Sequence, residues 1–357
     1  MITRRQFNKM TAVGFLSVAN PGYISSAIAS MQKIRIGQIG TTHSHADAKI
    51  ETIKKLNDVF HLVGVVAEDP IRQKEAAQKK AYREVQWMTE DELLSRKNLD
   101  AVVIETDLDQ LISTALRCVN AGFHVHIDKP LGKSYSELEN LVNIAQVKGL
   151  IVQPGYMFRY NPAFEFCVKA VKERLLGDIF EIDGVISKVI KSERRQKLAE
   201  TYGGGMMLLG CHLIDILIAI LGKPDTLETF RQQTFAENDR LYDNELLVFK
   251  HTNAISSIRS TLVEVAGQQR RQFVICGTKG TIEIKPLEPP QLFLAMEKSK
   301  GNYKEGYQSI TLKKMSGRYD EQLLDFAQLI KGDKQPDFSM EHDLLVHKIL
   351  LEAAGFI

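Results

Sequence analysis

The stretch "IRIGQIGTTHSHADAKIETI", residues 34–53, constrains the fold more than any other part of the chain. Its opening run, with Ile34, Ile36 and Ile39, favours a strand. The run ends on Gly40 and leads into a segment whose Ala46, Ile50 and Ile53 share one helical face. A strand, a glycine turn and an amphipathic helix make half of a unit whose next strand runs parallel to the first.

The pattern continues. "HLVGVVAE", "DAVVIET" and "FHVHIDKP" read as strands. "AAQKKA", "EDELLSR", "LISTALRCVNAG" and "SYSELENLVNIAQVKG" read as helices, the last two stopped by Gly122 and Gly149. Apolar strands alternating with helices predict an α/β domain over residues 30–153, built on a parallel, doubly wound sheet. The turn at Gly40 then stands where such a sheet places a phosphate on a helix N-terminus. After Pro154 the character changes. The helix "NPAFEFCVKAVKERL" is followed by strands such as "DIFEIDGVISKVI", "NELLVFKH", "AISSIRSTLVEV" and "RRQFVICGTKGTIEIKP", the last turning back on itself at "GTKG". Residues 154–357 predict a second, α+β domain on a broad, open, mostly antiparallel sheet, closed by helices around "DEQLLDFAQLIKG" and "EHDLLVHKILLEAAG".

Residues 1–29 stand apart. They begin with charges, carry an apolar run from Met10 to Ala19 that is too short to span a bilayer, and end on Ala27-Ile28-Ala29. "TRRQFNK" has the pattern of a twin-arginine export signal, beside the plainer reading of a chance Arg-Arg in an ordinary secretory signal. Cleavage after Ala29 would leave a periplasmic or otherwise extracytoplasmic protein with no membrane anchor. Losing Arg4, Arg5 and Lys9 takes the basic residues from 46 to 43 against 44 acidic ones. No basic excess for nucleic acid or an anionic membrane remains. Cys118, Cys167, Cys211 and Cys276 are widely spaced, form no C-x-x-C pair and read as buried thiols.

Five stretches in order resemble the Gfo/Idh/MocA oxidoreductases over nearly all of the mature length. They are "GQIGTTHSHA", Asp128-Lys129-Pro130 where the family has E-K-P, "GYMFRYNP", "GGGMMLLGCHLID" and "ICGTKGTIEI". The resemblance implies a Rossmann domain followed by an open-sheet domain that also joins the chain into a homo-oligomer. It implies a tightly held NAD or NADP and a carbohydrate or polyol substrate. Gly37, Gly40, Thr41, Thr42, His43, His45, Glu68, Thr106, Asp128, Lys129 and Pro130 fall on its cofactor-binding segments. Lys129, on position alone a lysine after a strand, would contact both substrate hydroxyl and cofactor and carry acid–base chemistry. His212, in isolation more readily a core histidine of an apolar helix, would bind or deprotonate the hydroxyl, with Asp215 one turn away either orienting it or making a structural contact within the helix. Tyr156, Arg159, Tyr160 and Asn161 would line the substrate pocket with His212 and Asp215, since aromatic and planar hydrogen-bonding groups suit a sugar ring. Asn161-Pro162 reads equally as a helix start.

The chain departs from the family pattern in several places. Aligning G-x-G-x-x-G on Gly40 puts Thr42 and His45 at the other two glycines. The acidic residue four before the histidine is Leu208, and T-P-x-x-x-H reads "TDLDQL", with Asp107 and Leu111. The acidic residue expected at the end of the second strand falls on Ala67, with Glu68 beside it and no arginine at that point, which leans to NAD over NADP. His43 and His45, like His124 and His126, invite a metal reading, but no cysteine or carboxylate completes a set in the sequence, so no metal is expected. Three readings stay open. The first is a periplasmic NAD(P)-dependent oxidoreductase acting on a CH–OH or keto group of a sugar, glycoside or polyol. The second is an NAD-assisted, redox-neutral lyase, epimerase or hydrolase of glycosides. The third is a non-catalytic sugar-binding relative.

Overall fold

The computed structural model describes residues 32–357, so the expected export signal lies outside the described residues. Among the described residues no helix is long and apolar enough to cross a membrane.

Five short strands, β1 (Ile34–Ile39), β2 (Phe60–Val66), β3 (Ala101–Ile104), β4 (His124–Ile127) and β5 (Val152–Pro154), form a sheet in the order β2-β1-β3-β4-β5. Every pairing in it is parallel. Helices α1 (Ala46–Lys55), α2 (Leu108–Asn120) and α3 (Tyr135–Lys148) connect the strands. On one face Val102, Ile104, Val125 and Ile127 pack with Leu111, Ala115, Leu138 and Leu141. On the other, Ile36 and Val103 pack with Ile50 and Ile53. The central strands are buried on both sides, which is why they read as continuous apolar runs. The chain goes one way from β1 to β2 and the other way to β3, so the carboxyl ends of β1 and β3 flank the switch point where such sheets hold ligands.

The second sheet has eight strands: β6 (Ile179–Val185), β7 (Thr226–Gln232), β8 (Asn244–His251), β9 (Ala254–Thr261), β10 (Gln272–Gly277), β11 (Gly280–Leu287), β12 (Pro290–Met296) and β13 (Gly306–Ile310). Their order is β13-β12-β11-β10-β6-β9-β8-β7, antiparallel throughout except between β6 and β9. Gly277 pairs with Gly280, so Thr278-Lys279 forms the two-residue hairpin. Helices α4 (Pro162–Lys172) and α5 (Cys211–Leu221) cover one face, with Phe164, Leu213 and Ile214 in one core with Ile182, Phe273 and Ile275. A π-helical turn, Met206–Gly210, leads into α5.

The last helices, α6 (Asp320–Lys331) and α7 (Met340–Ala354), return to the first domain. Leu323, Phe326 and Ala327 of α6 complete the core beneath Ile36, Ile50 and Val103. A buried polar chain reinforces the junction. Lys49 Nζ meets His126 Nε2 and donates to Gln322 Oε1 at 2.8 Å. His126 Nδ1 lies 2.8 Å from Gln153 Oε1, and Gln153 Nε2 donates to Asp325 Oδ2 at 2.9 Å. That places His126 in a structural network, while His124 Nδ1 accepts the Ile151 N–H at 3.0 Å. All four cysteines are free thiols; Cys118, Cys167 and Cys211 are buried and Cys276 partly so.

Candidate active site

The site is built where β1, β3 and β4 end. Gly40 has φ +97°, and a Cβ there would stand 2.4 Å from the Glu105 carbonyl carbon and the Thr106 nitrogen, so only glycine fits. The next two peptides turn their N–H groups outward. Thr41 N and Thr42 N donate to Glu68 Oε1 at 2.9 and 3.1 Å, and the two hydroxyls add bonds of 2.9 and 2.7 Å to the same carboxylate. The turn therefore grips an oxyanion, and the Glu68 carboxylate stands in for the phosphate oxygens that such a turn binds. Thr42, at a lost glycine position, adds a donor. A nicotinamide dinucleotide fits these residues: Gly40, Thr41 and Thr42 would hold its phosphates once Glu68 swings away. Gly37 is a packing glycine, its missing Cβ replaced by Leu93.

His43 and His45 follow directly. The His43 N–H donates to the Glu105 carbonyl at 3.0 Å, which draws the turn over the end of β3. His43 Nδ1 lies 3.1 Å from Glu105 Oε2 and 3.5 Å from Asp128 Oδ2. His45 stands at the N-cap of α1 without making a capping bond, and its Nδ1 lies 3.0 Å from Asp128 Oδ2 and 3.1 Å from Oδ1. The sequence offers no carboxylate partner for this histidine pair; the fold supplies two, from the ends of β3 and β4. Burial and neighbouring Asp128 push the Glu105 carboxyl up to about 7. Asp128 is held well below the usual carboxylate range: burial opposes this, but the two imidazoles outweigh it. Burial also opposes the charged form of His43, yet Asp128 and Glu105 raise it, whereas burial carries His45 down to about 4. Two nitrogens against one fully buried carboxylate make Asp128 the ionised member of the group. Thr106 is buried, its hydroxyl donating to the Asp107 carbonyl at 3.3 Å.

The Lys129–Pro130 bond is cis, and Lys129 Nζ donates to the Leu208 carbonyl at 3.0 Å. A backbone oxygen of the π-helical turn thus meets the lysine at Leu208, where the family pattern has a carboxylate. His212, at the start of α5, is buried against Phe158 at 5.0 Å and Tyr156 at 6.4 Å between ring centroids. Burial, then Lys129, holds its pKa well below the histidine range, so the ring is neutral. The His212 Nδ1 and Tyr156 Oη are both buried without a hydrogen-bond partner among the described residues. Asp215 does not orient the His212 ring. It is paired with Arg159, through Nε at 2.9 Å and Nη2 at 2.6 Å, and with His342 Nε2 at 2.9 Å.

The "GYMFRYNP" segment divides accordingly. Tyr156 lies against His212, but the other polar groups are taken up by the protein. Arg159 Nη2 also donates to Asp343 Oδ1 at 2.5 Å, and Tyr160 Oη donates to Asp325 Oδ2 at 2.9 Å. The Asn161 side chain caps α4, accepting from the Ala163 N–H at 2.9 Å. A cavity of about 920 Å³ is bordered by Arg159, Tyr160, Asp325 and His342, and neither Lys129 nor His212 lines it. The chemistry, not the size of the cleft, selects the Lys129–His212 region. Two further residues, Tyr319 and Lys188, border this region. The Tyr319 ring is 5.4 Å from His45. Burial, then Lys129, lowers Lys188 to about 8, with Arg194, Arg271 and Arg318 adding to the effect. No motif or periodicity marks these positions.

Two family models match the chain in succession. Residues 34–156 match the "Oxidoreductase family, NAD-binding Rossmann fold", and residues 164–283 match the GFO/IDH/MocA C-terminal domain. The chain is 25% identical over 229 residues to trans-1,2-dihydrobenzene-1,2-diol dehydrogenase of Sus scrofa, a match covering 62% of this chain and 65% of that enzyme, less than two thirds of its length. It is 23% identical over 323 residues to myo-inositol 2-dehydrogenase of Thermotoga maritima, covering 86% and 90% of the two chains. The structure of aldose-aldose oxidoreductase from Caulobacter crescentus superposes with a TM-score of 0.77 at 16% identity, over 91% of this chain and 98% of that one. The order of the two matched domains and the fold beneath them agree, and the chain belongs to the Gfo/Idh/MocA oxidoreductase family.

Proposed function

We propose that the chain is an NAD(P)-dependent oxidoreductase that interconverts a secondary hydroxyl and a ketone on a sugar, glycoside or polyol. The observation that carries this reading is the neutral imidazole of His212, whose buried Nδ1 has no partner among the described residues, within the field of Lys129 at the carboxyl edge of the sheet. The nicotinamide supplies the hydride acceptor or donor. Lys129 would donate a hydrogen bond to the substrate oxygen, and His212 would take the hydroxyl proton as the carbonyl forms. The two curated relatives described above are named for dehydrogenation of a ring diol and of inositol, which supports a polyhydroxylated substrate. Glu68, freed from the turn, would suit the adenosine ribose, and no arginine stands at that point for a 2′-phosphate, so NAD is favoured.

The test is to denature the purified protein and assay the released NAD(H) and NADP(H). About one equivalent per chain is expected from the parent and none from Gly40→Val, whose side chain would collide with the Glu105 and Thr106 backbone. A parent protein that releases no nucleotide and fails to bind added NAD or NADP overturns the reading.

Two further features belong to this proposal. Phe230, Ile255 and Tyr307 are 58%, 62% and 64% exposed on the sheet face opposite the buried Leu247, Ile258 and Leu294, which supports self-association through that sheet. "TRRQFNK" supports twin-arginine export to the periplasm. Arg4→Lys with Arg5→Lys is expected to leave uncleaved protein in the cytoplasm; normal delivery of the double variant would refute that route.

A further inference from the structure

We propose that His43, His45 and Asp128, with Glu105 adjoining His43, form a binding site for one divalent first-row transition metal ion. The donor atoms converge from the ends of β1 and β4, and Glu105, just after β3, stands against His43. The nearest contacts are 3.0 Å between His45 Nδ1 and Asp128 Oδ2, 3.1 Å between His43 Nδ1 and Glu105 Oε2, and 3.5 Å between His43 Nδ1 and Asp128 Oδ2. Donors each about 2.1 Å from one ion stand roughly 3.0–3.4 Å apart in octahedral or tetrahedral geometry. The atoms of His43, His45 and Asp128 all lie within 4.8 Å of one another. Imidazole nitrogen with carboxylate oxygen is the donor set that suits zinc, manganese or iron rather than calcium or magnesium.

The charge balance points the same way. Asp128 and Glu105 are fully buried, and among the described residues their only ion-pair partners are these two imidazoles. Lys129 and Lys49 hydrogen-bond to neutral acceptors, the Leu208 carbonyl and His126 with Gln322, and Lys49 favours the two carboxylates through its field and not by contact. Glu105 Oε1 is buried with no hydrogen-bond partner among the described residues. His43 Nδ1 and Glu105 Oε2 stand 3.1 Å apart, so a positive species, a proton or a metal ion, holds them together. The other His–carboxylate cluster, Asp215, His342 and Asp343, makes the contrast. There the Arg159 guanidinium already reaches both carboxylates, at 2.6 and 2.5 Å. At the His43 site the least buried donor is His45, with a side chain 14% exposed, so any open coordination position lies on its side.

The inference concerns the crevice assigned above to substrate and cofactor, but it rests on the oxidoreductase reading only for what the ion would serve. The test uses the full mature chain, stripped with a chelator and titrated with Co²⁺ alone, with visible absorption and metal content as readouts. One equivalent is expected to bind with ligand-field bands. His45→Gln and Asp128→Asn should each weaken binding by about 100-fold or more, no less than the loss of an outer-shell partner, while His342→Gln leaves it unchanged. Circular dichroism checks that the variants fold, and His45→Gln, at the partly exposed donor, remains informative if Asp128→Asn does not. A folded parent that binds no Co²⁺ overturns the proposal, as does unchanged binding in His45→Gln. Nucleotide content measured on the same samples separates the two readings. Nucleotide without metal removes this inference alone; metal without nucleotide supports it and removes the other.

Discussion

Arg159→Leu is expected to destabilise the fold by about 3–5 kcal/mol, because it strands two buried carboxylates. Arg159 is 7% exposed, and its guanidinium bridges Asp215 of α5 and Asp343 of α7 while stacking on the Phe338 ring at 4.2 Å. Arg159→Lys should recover little of the loss, since one ammonium cannot reproduce the fork that engages Asp215 through both Nε and Nη2. Removing charge on both sides, as Arg159→Leu with Asp215→Leu, should recover part of it. Thermal and urea denaturation read the effect. A single variant as stable as the parent would show that the triad contributes nothing to the fold.

The second expected result concerns turnover. Lys129→Met keeps the stem and deletes the charge, and His212→Asn keeps a polar group and deletes the base. Each should lower kcat by about 100-fold or more, the usual contribution of a positioned acid–base group, with little change in substrate or nucleotide binding. The assay should follow both NADH formation and glycoside breakdown, because the Leu208 carbonyl in place of a carboxylate leaves the net redox outcome to be measured. Full activity in both variants would move the active site elsewhere.

Much of this layout was legible in the chain. The strands β1 to β4 announce themselves because burial on both faces demands unbroken apolar runs, and α3 ends where Gly149 supplies a left-handed φ of +65°. The strand β7, "TLETFRQ", is hard to read because it lies at a sheet edge with every second residue exposed. The site shows the same division. Gly40, Asp128 and Lys129 sit beside strand ends, so local pattern finds them. Glu105 is silent in the sequence because nothing local separates it from the neighbouring strand residues and its partner His43 is 62 positions away. Arg159 looked like a substrate ligand because its segment carries sugar-binding residue types; Asp215 and Asp343, which claim it, lie 56 and 184 positions further on. Partnership at such separations is decided by topology.

The return of α6 to the first domain has a consequence for the order in which the protein can be made. While the chain grows, residues 34–156 are complete long before Leu323, Phe326 and Ala327 exist, so the sheet face carrying Ile36 and Val103 waits uncovered. Gln322 and Asp325, which close the polar chain from Lys49, arrive at the same late moment. The nucleotide-binding half is therefore not a module that can be lifted out or left to mature alone. Its last wall is delivered by the far end of the second domain, and the two reach their finished form together.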